Sequence, residues 1–246
     1  MTTYHSVILT APESSIQELY EAIKKKCPEL TLEQVPLIKT EKNILPEKKL
    51  AKIKETEWIL FTSKNAFRYF MAILDDNQLK LNKNNKLACI GDKTAAYIHQ
   101  RGFSTHFISS GKTGEDFAKE FTENVHATRI LIPRGNMANP EGSDILRKKY
   151  MVKEIVVYQT NFTLPDAIQK EIITSKKYDF VIFTSPSAVD AFMHHFADPP
   201  LKCISIGPVT TKKLQEHGIT PDIEPGHPGY DNIANELAYF YQNKTY

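Results

Sequence analysis

Short apolar runs alternate with longer stretches of helical period along this chain. The runs Ser6–Leu9, Leu32–Leu37, Trp58–Phe61, Lys86–Ile90, Phe103–Ile108, Arg129–Ile132, Val152–Tyr158, Phe180–Phe183 and Lys202–Ile206 predict strands, with a weak one near Asp222. Between them, Ile16–Lys25, Ala66–Leu74, Thr94–Gln100, Gly114–Phe121, Gly142–Lys149, Ser187–Phe196, Thr210–His217 and Asp231–Tyr241 predict helices. Strands separated by helices of this length imply βαβ units and parallel sheets. The runs are short and bounded, which suits strands buried on both faces.

The same pattern occurs twice. FTSKNAF (61–67) returns as FTSPSAV (183–189), 122 residues later. At the same offset SVILTAPES (6–14) matches RILIPRGN (129–136), and EQVPLIKT (33–40) matches IVVYQTNF (155–162). IGDKTAAYIHQRGF (90–103) returns as IGPVTTKKLQEHGI (206–219) at an offset of 116. Four segments in one order at nearly one offset indicate an internal duplication of an α/β unit. Two similar units invite a ligand cleft between them, with one lobe per sequence half as the simplest arrangement.

Composition narrows the function classes. Hydrophobic residues make up 41% of the 246, enough for real cores. A net charge of +2 argues against a dedicated nucleic-acid binder. No apolar run is long enough to span a bilayer, and the N-terminus has no basic segment ahead of its apolar stretch. Cys27, Cys89 and Cys203 are widely spaced beside apolar runs, so they are expected to be buried reduced thiols in a cytoplasmic protein. The lysine-rich stretch 42–54 reads as a solvated helix face, and NQLKLNKNNK (77–86) as a polar surface loop.

The candidate chemistry lies at helix starts. Each FTS segment ends a strand and puts Ser63 or Ser185 at the N-cap of the next helix, where free backbone N–H groups attract anions. Pro186 follows Ser185 at the first helical position. Gly91 and Gly207 end strands ahead of Thr94 and Thr210, which fall near a first helical turn. Gly102 and Gly218 read as helix stops. PRGNMANPEG (133–142) is a long strand-to-helix connection of the kind that carries ligand contacts in open α/β sheets. Each hydroxyl alone is as readily a simple cap. Neither glycine segment is a GxGxxG or a Walker motif, so a nucleotide site is unsupported. His194 and His195 are adjacent on one helix and point about 100° apart, a poor pair for a metal. No GxSxG is present.

Taken in order, FTSKNAF (61–67), IGDKTAAYI (90–98), ILIPRGN (130–136), VVYQT (156–160), FTSPSAV (183–189) and IGPVTTKKLQEHG (206–218) resemble uroporphyrinogen-III synthase, and the resemblance covers most of the chain. It implies an α/β fold of two similar parallel-sheet lobes joined by a two-stranded linker, with the substrate cleft between them. The lobes are then not the sequence halves. Residues 1–36 plus 163–246 are expected to form lobe one and 40–158 lobe two, with crossings near 35–40 and 158–163. The implied substrate is hydroxymethylbilane, a linear tetrapyrrole with eight carboxylates. It is cyclised to uroporphyrinogen III with inversion of the last pyrrole ring and loss of water, without cofactor or metal. A monomer with no nucleic-acid or membrane partner is expected.

The resemblance also assigns residues. Tyr158 in VVYQT matches the tyrosine proposed to help the hydroxyl leave; packing as a hinge tyrosine is the alternative. Ser63, Thr94, Ser185, Ser187 and Thr210 match cleft hydroxyls, and Gly91, Gly207 and Pro208 of the same turns are expected among the substrate-binding residues. Arg134 is expected beside Gly135 and Asn136, either on a substrate carboxylate or in a surface salt bridge. Lys64 stands where the family has proline and adds a positive charge, while Asp92 adds a negative one; Val209 and Thr211 alter the flanks of Thr210. A non-catalytic two-lobed tetrapyrrole or small-anion binding protein is the alternative function.

Overall fold

The computed structural model describes residues 5–51, 53, 55–111, 113–175, 177–196 and 202–243; of the lysine-rich stretch, Lys52 and Lys54 lie outside them. The chain divides into two compact units, Met1–Thr40 with Asn161–Tyr246, and Glu41–Thr160.

The first unit holds a four-stranded sheet of β1 (Ser6–Leu9), β2 (Thr31–Gln34), β9 (Phe180–Phe183) and β10 (Lys202–Ser205), in the order β10-β9-β1-β2 and parallel throughout. Helices α1 (Glu13–Lys26) and α10 (Tyr230–Gln242) supply Leu19, Ile23, Ile233 and Leu237 to one face. Helices α7 (Ala167–Thr174), α8 (Pro186–His195) and α9 (Pro208–Glu216) supply Ile173, Phe192 and Leu214 to the other. Alternate strand residues serve each core: Phe180 and Ile182 face the first, Val181 and Phe183 the second. That double burial is why these runs are continuously apolar.

The second unit contains β4 (Trp58–Phe61), β5 (Lys86–Ile90), β6 (Phe107–Ser109) and β7 (Arg129–Gly135), flanked by α2 (Glu47–Ala51), α3 (Lys64–Asp76), α4 (Asp92–His99), α5 (Gly114–Asn124) and α6 (Glu141–Arg147). Ile59 and Phe61 pack with Phe67 and Phe70 of α3 on one face; Trp58 and Leu60 pack with Phe117 and Phe121 of α5 on the other. Strands β3 (Ile38–Lys42) and β8 (Met151–Phe162) complete the order β3-β8-β7-β4-β5-β6, and both run from one unit into the other. Their flanking bonds join Thr163 N–H to the Leu37 carbonyl and Asn43 N–H to the Val157 carbonyl, so one strand rises in number as the other falls and the pair is antiparallel.

The duplication is visible in the topology. At the repeat offset β4 corresponds to β9, β5 to β10, β7 to β1, and β8 to the β2 region. The order β5-β4-β7-β8 therefore repeats as β10-β9-β1-β2. Each sheet takes its outer pair from one copy and its other pair from the second. The likeness extends to backbone angles: Ser63 has φ −160° and ψ 158°, Ser185 has φ −164° and ψ 157°. α4 and α9 also end alike. Phe103 N–H reaches the Ile98 carbonyl and Ile219 N–H the Leu214 carbonyl, each after a glycine of positive φ, Gly102 at 81° and Gly218 at 77°.

Several predicted bounds shift for local reasons. The run predicted as a strand at Leu32–Leu37 yields only β2, which ends at Gln34 ahead of Pro36 with its missing N–H, and an unpredicted strand β3 follows from Ile38. The strand predicted at Phe103–Ile108 shrinks to Phe107–Ser109, since Phe103 finishes the α4 stop and packs on Phe67, with ring centroids 5.7 Å apart. The weak strand near Asp222 is a single bridge, Ile204 with Ile223. β7 runs longer than predicted along its ladder with β8, and β8 continues past that ladder to Phe162 as the neighbour of β3. The segment 77–86 is not wholly a polar surface loop: Leu79 and Leu81 pack against the core, and the buried Asn85 donates to the Thr56 carbonyl at 2.6 Å. The helix α7 escaped prediction despite its Asp166–Gln169 capping box. All three cysteines are free and buried.

Phe61 and Phe183 are equivalent positions, both fully buried. Each Phe→Ala change is expected to lower stability by about 3–5 kcal/mol, read from urea unfolding midpoints.

Candidate functional site

Parallel strands joined by helices bring every strand's carboxyl end to one edge of its sheet, and the next helix starts there. The sequence-predicted residues fall on these edges, one group in each unit.

In the second unit, Ser63 caps α3 by accepting from Ala66 N–H at 3.1 Å. Tyr158 lies nearby, close enough for the Ser63 side chain to act on its phenol. The placement depends on a β-bulge. Along the β7–β8 ladder Arg134 pairs with Val156, then Gly135 pairs with Tyr158, skipping Val157. The skipped residue lets Val157 and Tyr158, neighbours in sequence, both pack against the same core. Gly135 makes room for the ring: a Cβ there would lie 2.6 Å from the Tyr158 Cζ and 2.8 Å from its hydroxyl. Asn136 then continues the ladder by side chain, accepting from Thr160 N–H at 2.7 Å while its own N–H reaches the Tyr158 carbonyl. Ser63, Gly135, Asn136 and Tyr158 thus form one cluster.

Burial pushes the Tyr158 phenol above its ordinary value, partly opposed by the Ser63 side chain and by the positive charges of Arg68 and Arg134. At neutral pH it is a protonated donor. Arg134 itself is committed. Its guanidinium meets Glu154 at 2.5 Å and the Ala138 carbonyl, with the side chain only 13% exposed, a salt bridge but not the surface one of the sequence expectation. Glu154 also accepts from Ser143 Oγ at 2.6 Å and from Arg147. Burial pushes the Glu154 carboxyl up, and these donors more than offset it, holding it below the ordinary range.

Gly91 and Thr94 stand at the neighbouring end of β5. Gly91 is required by its backbone, with φ 72° and open space where a Cβ would be. Thr94 is buried, and its N–H is taken by the Gly91 carbonyl at 3.2 Å, so it offers less to a ligand than its position at a helix start suggests. Lys64 leans toward Tyr97, Nζ 5.9 Å from the ring centre.

In the first unit, Ser185 caps α8 by accepting from Ala188 N–H at 3.2 Å, and its hydroxyl lies 3.1 Å from that of Ser187. Gly207 opens α9 ahead of Pro208. Unlike Gly91 it has extended backbone and is required by close approach, since a Cβ would lie 2.7 Å from Pro228. Thr210 is buried, its N–H bonded to the Gly207 carbonyl.

Sequence reasoning missed three neighbours. Tyr69 stacks on Tyr158 with centroids 5.0 Å apart, and the Arg68 guanidinium lies 4.5 Å from the centre of the Tyr69 ring. Thr184 has a buried hydroxyl without a hydrogen-bond partner at the end of β9. The period of α3 marks Ala66, Phe67 and Phe70 as its inner face and leaves Arg68 and Tyr69 at the margin, so only the packing of β8 picks them out. Thiol chemistry is disfavoured: burial, then Asp92, pushes Cys89 up to about 11, and burial, then Asp222, pushes Cys203 up to about 12. Among the described residues no His, Cys, Asp and Glu group is arranged to hold a metal, and no helix is long and apolar enough to cross a membrane.

Because the Glu154 carboxyl is held low in the fold, its contribution to stability is present above the ordinary carboxylate value and is lost as pH falls through its lowered value. Glu154→Gln is expected to cost about 2 kcal/mol at pH 7 and to flatten the loss of stability below about pH 4, measured by urea unfolding across pH.

A family model described as Uroporphyrinogen-III synthase HemD matches residues 18–235. A porphyrin biosynthesis protein HemD of Ruminiclostridium josui is 25% identical over 225 residues, which are 87% of this chain and 44% of that protein, so the chain spans less than half of that relative. A crystal structure of a mutant uroporphyrinogen III synthase from the extremely thermophilic bacterium Thermus thermophilus superposes with a TM-score of 0.71 at 17% identity, covering 98% of this chain and all of the other. A uroporphyrinogen-III synthetase from Helicobacter pylori 26695 gives 0.64 at 20% identity, covering 96% and 99%. These likenesses extend to the whole fold, and the family match takes in every strand but β1 together with the Tyr158 cluster: the chain belongs to the uroporphyrinogen-III synthase family.

Proposed function

We propose that this protein is a uroporphyrinogen-III synthase acting as a cyclising hydro-lyase on hydroxymethylbilane, in tetrapyrrole synthesis, and that the candidate residues on its polar sheet edges bind the substrate. The family match over residues 18–235 carries the reaction. The Tyr158 phenol on Ser63 at a helix start supports where the chemistry sits.

Loss of the terminal hydroxyl begins the reaction. Tyr158, kept protonated by burial, donates to that hydroxyl and water departs. The resulting cation is attacked by the substituted carbon of the fourth ring, and the spiro product fragments and recloses with that ring inverted. Direct closure without inversion competes in free solution, so the protein's main task is to hold one substrate conformation. The N-terminal turns of α3, α4, α8 and α9 present positive helix ends to the substrate's carboxylates. Ser63, Ser185 and Ser187 add half-buried hydroxyls; Thr94 and Thr210 act mainly by shaping their turns.

Freshly prepared hydroxymethylbilane should give mainly isomer III, resolved after oxidation of the products. Isomer I alone, at the rate seen in buffer, would leave the non-catalytic binding reading standing. Tyr158→Phe is expected to lower kcat about 100-fold; an unchanged kcat would remove the acid role while leaving the overall activity in place.

A further inference from the structure

Two side chains of α3 complete the surroundings of Tyr158. The Tyr69 and Tyr158 rings lie within 24° of parallel at 5.0 Å, a stack that fixes the plane of the phenol above Gly135. The same Tyr69 ring carries the Arg68 guanidinium at 4.5 Å. The Arg68 Nε is buried and has no hydrogen-bond partner. A buried donor left unbonded is unfavourable, and a cation beside it more so, which directs attention to what this charge does.

The groups that act on the phenol are Ser63 at the cap of α3, Arg68 and Tyr69 on α3, and Arg134 on β7. Arg134 is neutralised by Glu154 at 2.5 Å. Arg68 has no acidic partner among the described residues. Of the two cations, Arg68 is therefore the one whose field at the phenol is not offset by a bonded carboxylate.

We propose that Arg68 is a positioning residue for Tyr158: with Tyr69 it holds the phenol in place, and it keeps a positive charge on the ring stacked against that phenol as the proton leaves. The proposal rests on the reading of Tyr158 as the acid. In that step the C–O bond of the substrate's terminal hydroxymethyl group breaks, and its electron pair stays with the oxygen. The oxygen takes the Tyr158 proton and departs as water, leaving a phenolate on the protein and a cation on the substrate. The phenolate regains its proton from the one released at the ring carbon where the new C–C bond closes. A fixed guanidinium favours the phenolate over the neutral phenol, so it acts on the transition state more than on bound substrate.

The test places a single 3-fluorotyrosine at position 158 of the full chain and follows its 19F resonance against pH, in the parent and with Arg68→Met or Arg68→Lys. The midpoint is expected to move to higher pH with Arg68→Met and to stay near the parent value with Arg68→Lys. In the chain with natural tyrosine, Arg68→Met should lower kcat about tenfold with KM within about twofold, and Arg68→Lys should restore most of the rate. An unmoved midpoint in both variants would overturn the proposal. So would a raised KM at unchanged kcat, which would make Arg68 a receptor for a substrate carboxylate. The acid reading fails separately: Tyr158→Phe would then turn over at the parent rate, whatever the fluorine titration shows.

Discussion

Parallel pairing is the constraint from which the rest of this structure follows. A parallel strand cannot return through a hairpin, so each must be followed by a crossover, and here nearly every crossover is a helix packed on a sheet face. Helices on both faces bury both faces, which is why Trp58–Phe61 and Phe180–Phe183 carry no polar residue. The same geometry sets each helix start beside the carboxyl end of the preceding strand. A polar edge with unpaired N–H groups is thus a by-product of the packing, and each sheet has one. Duplication of the unit gives two such edges from one ancestral design.

The antiparallel pair β3 and β8 departs from that rule, and it carries the residue that separates the two copies. At the repeat offset Pro36 corresponds to Tyr158. In the first unit the proline ends β2; in the second, the chain continues as a twelve-residue strand whose bulge turns Tyr158 onto Gly135. A symmetric fold thereby acquires one phenol beside one serine cap, Ser63, while its counterpart Ser185 meets only Ser187. Identical backbone at the two caps and different chemistry around them is what duplication followed by divergence at a crossing produces.

The charges around Tyr158 follow from the same packing. Glu154 gathers Arg134, Arg147 and Ser143 into a closed network, so the arginine of the ILIPRGN segment is occupied in holding β7, β8 and α6 together. Arg68, at the margin of α3 and without such a partner, is left to act on the Tyr69–Tyr158 stack. Motif membership is therefore a poor guide to which arginine is available, because availability depends on where the nearest carboxylate folds.

The sequence by itself determined the elements and their repetition. Apolar runs at Trp58–Phe61 and Phe180–Phe183, the serine caps at 63 and 185 and the glycine stops at 102 and 218 are local requirements, met within a few residues of chain. It also carried Tyr158 as a candidate, through the VVYQT segment. Only the tertiary structure decided which strands share a sheet, since β1 pairs with β9 across some 170 residues and no local preference records that choice. It alone decided that Thr94 and Thr210 are buried, that Arg134 is committed to Glu154, and that Arg68 and Tyr69 meet Tyr158. The bulge at Arg134 and Gly135 is the clearest case: a one-residue slip between two strands turns a side chain to the other face, and a slip is a property of the pair, not of either sequence.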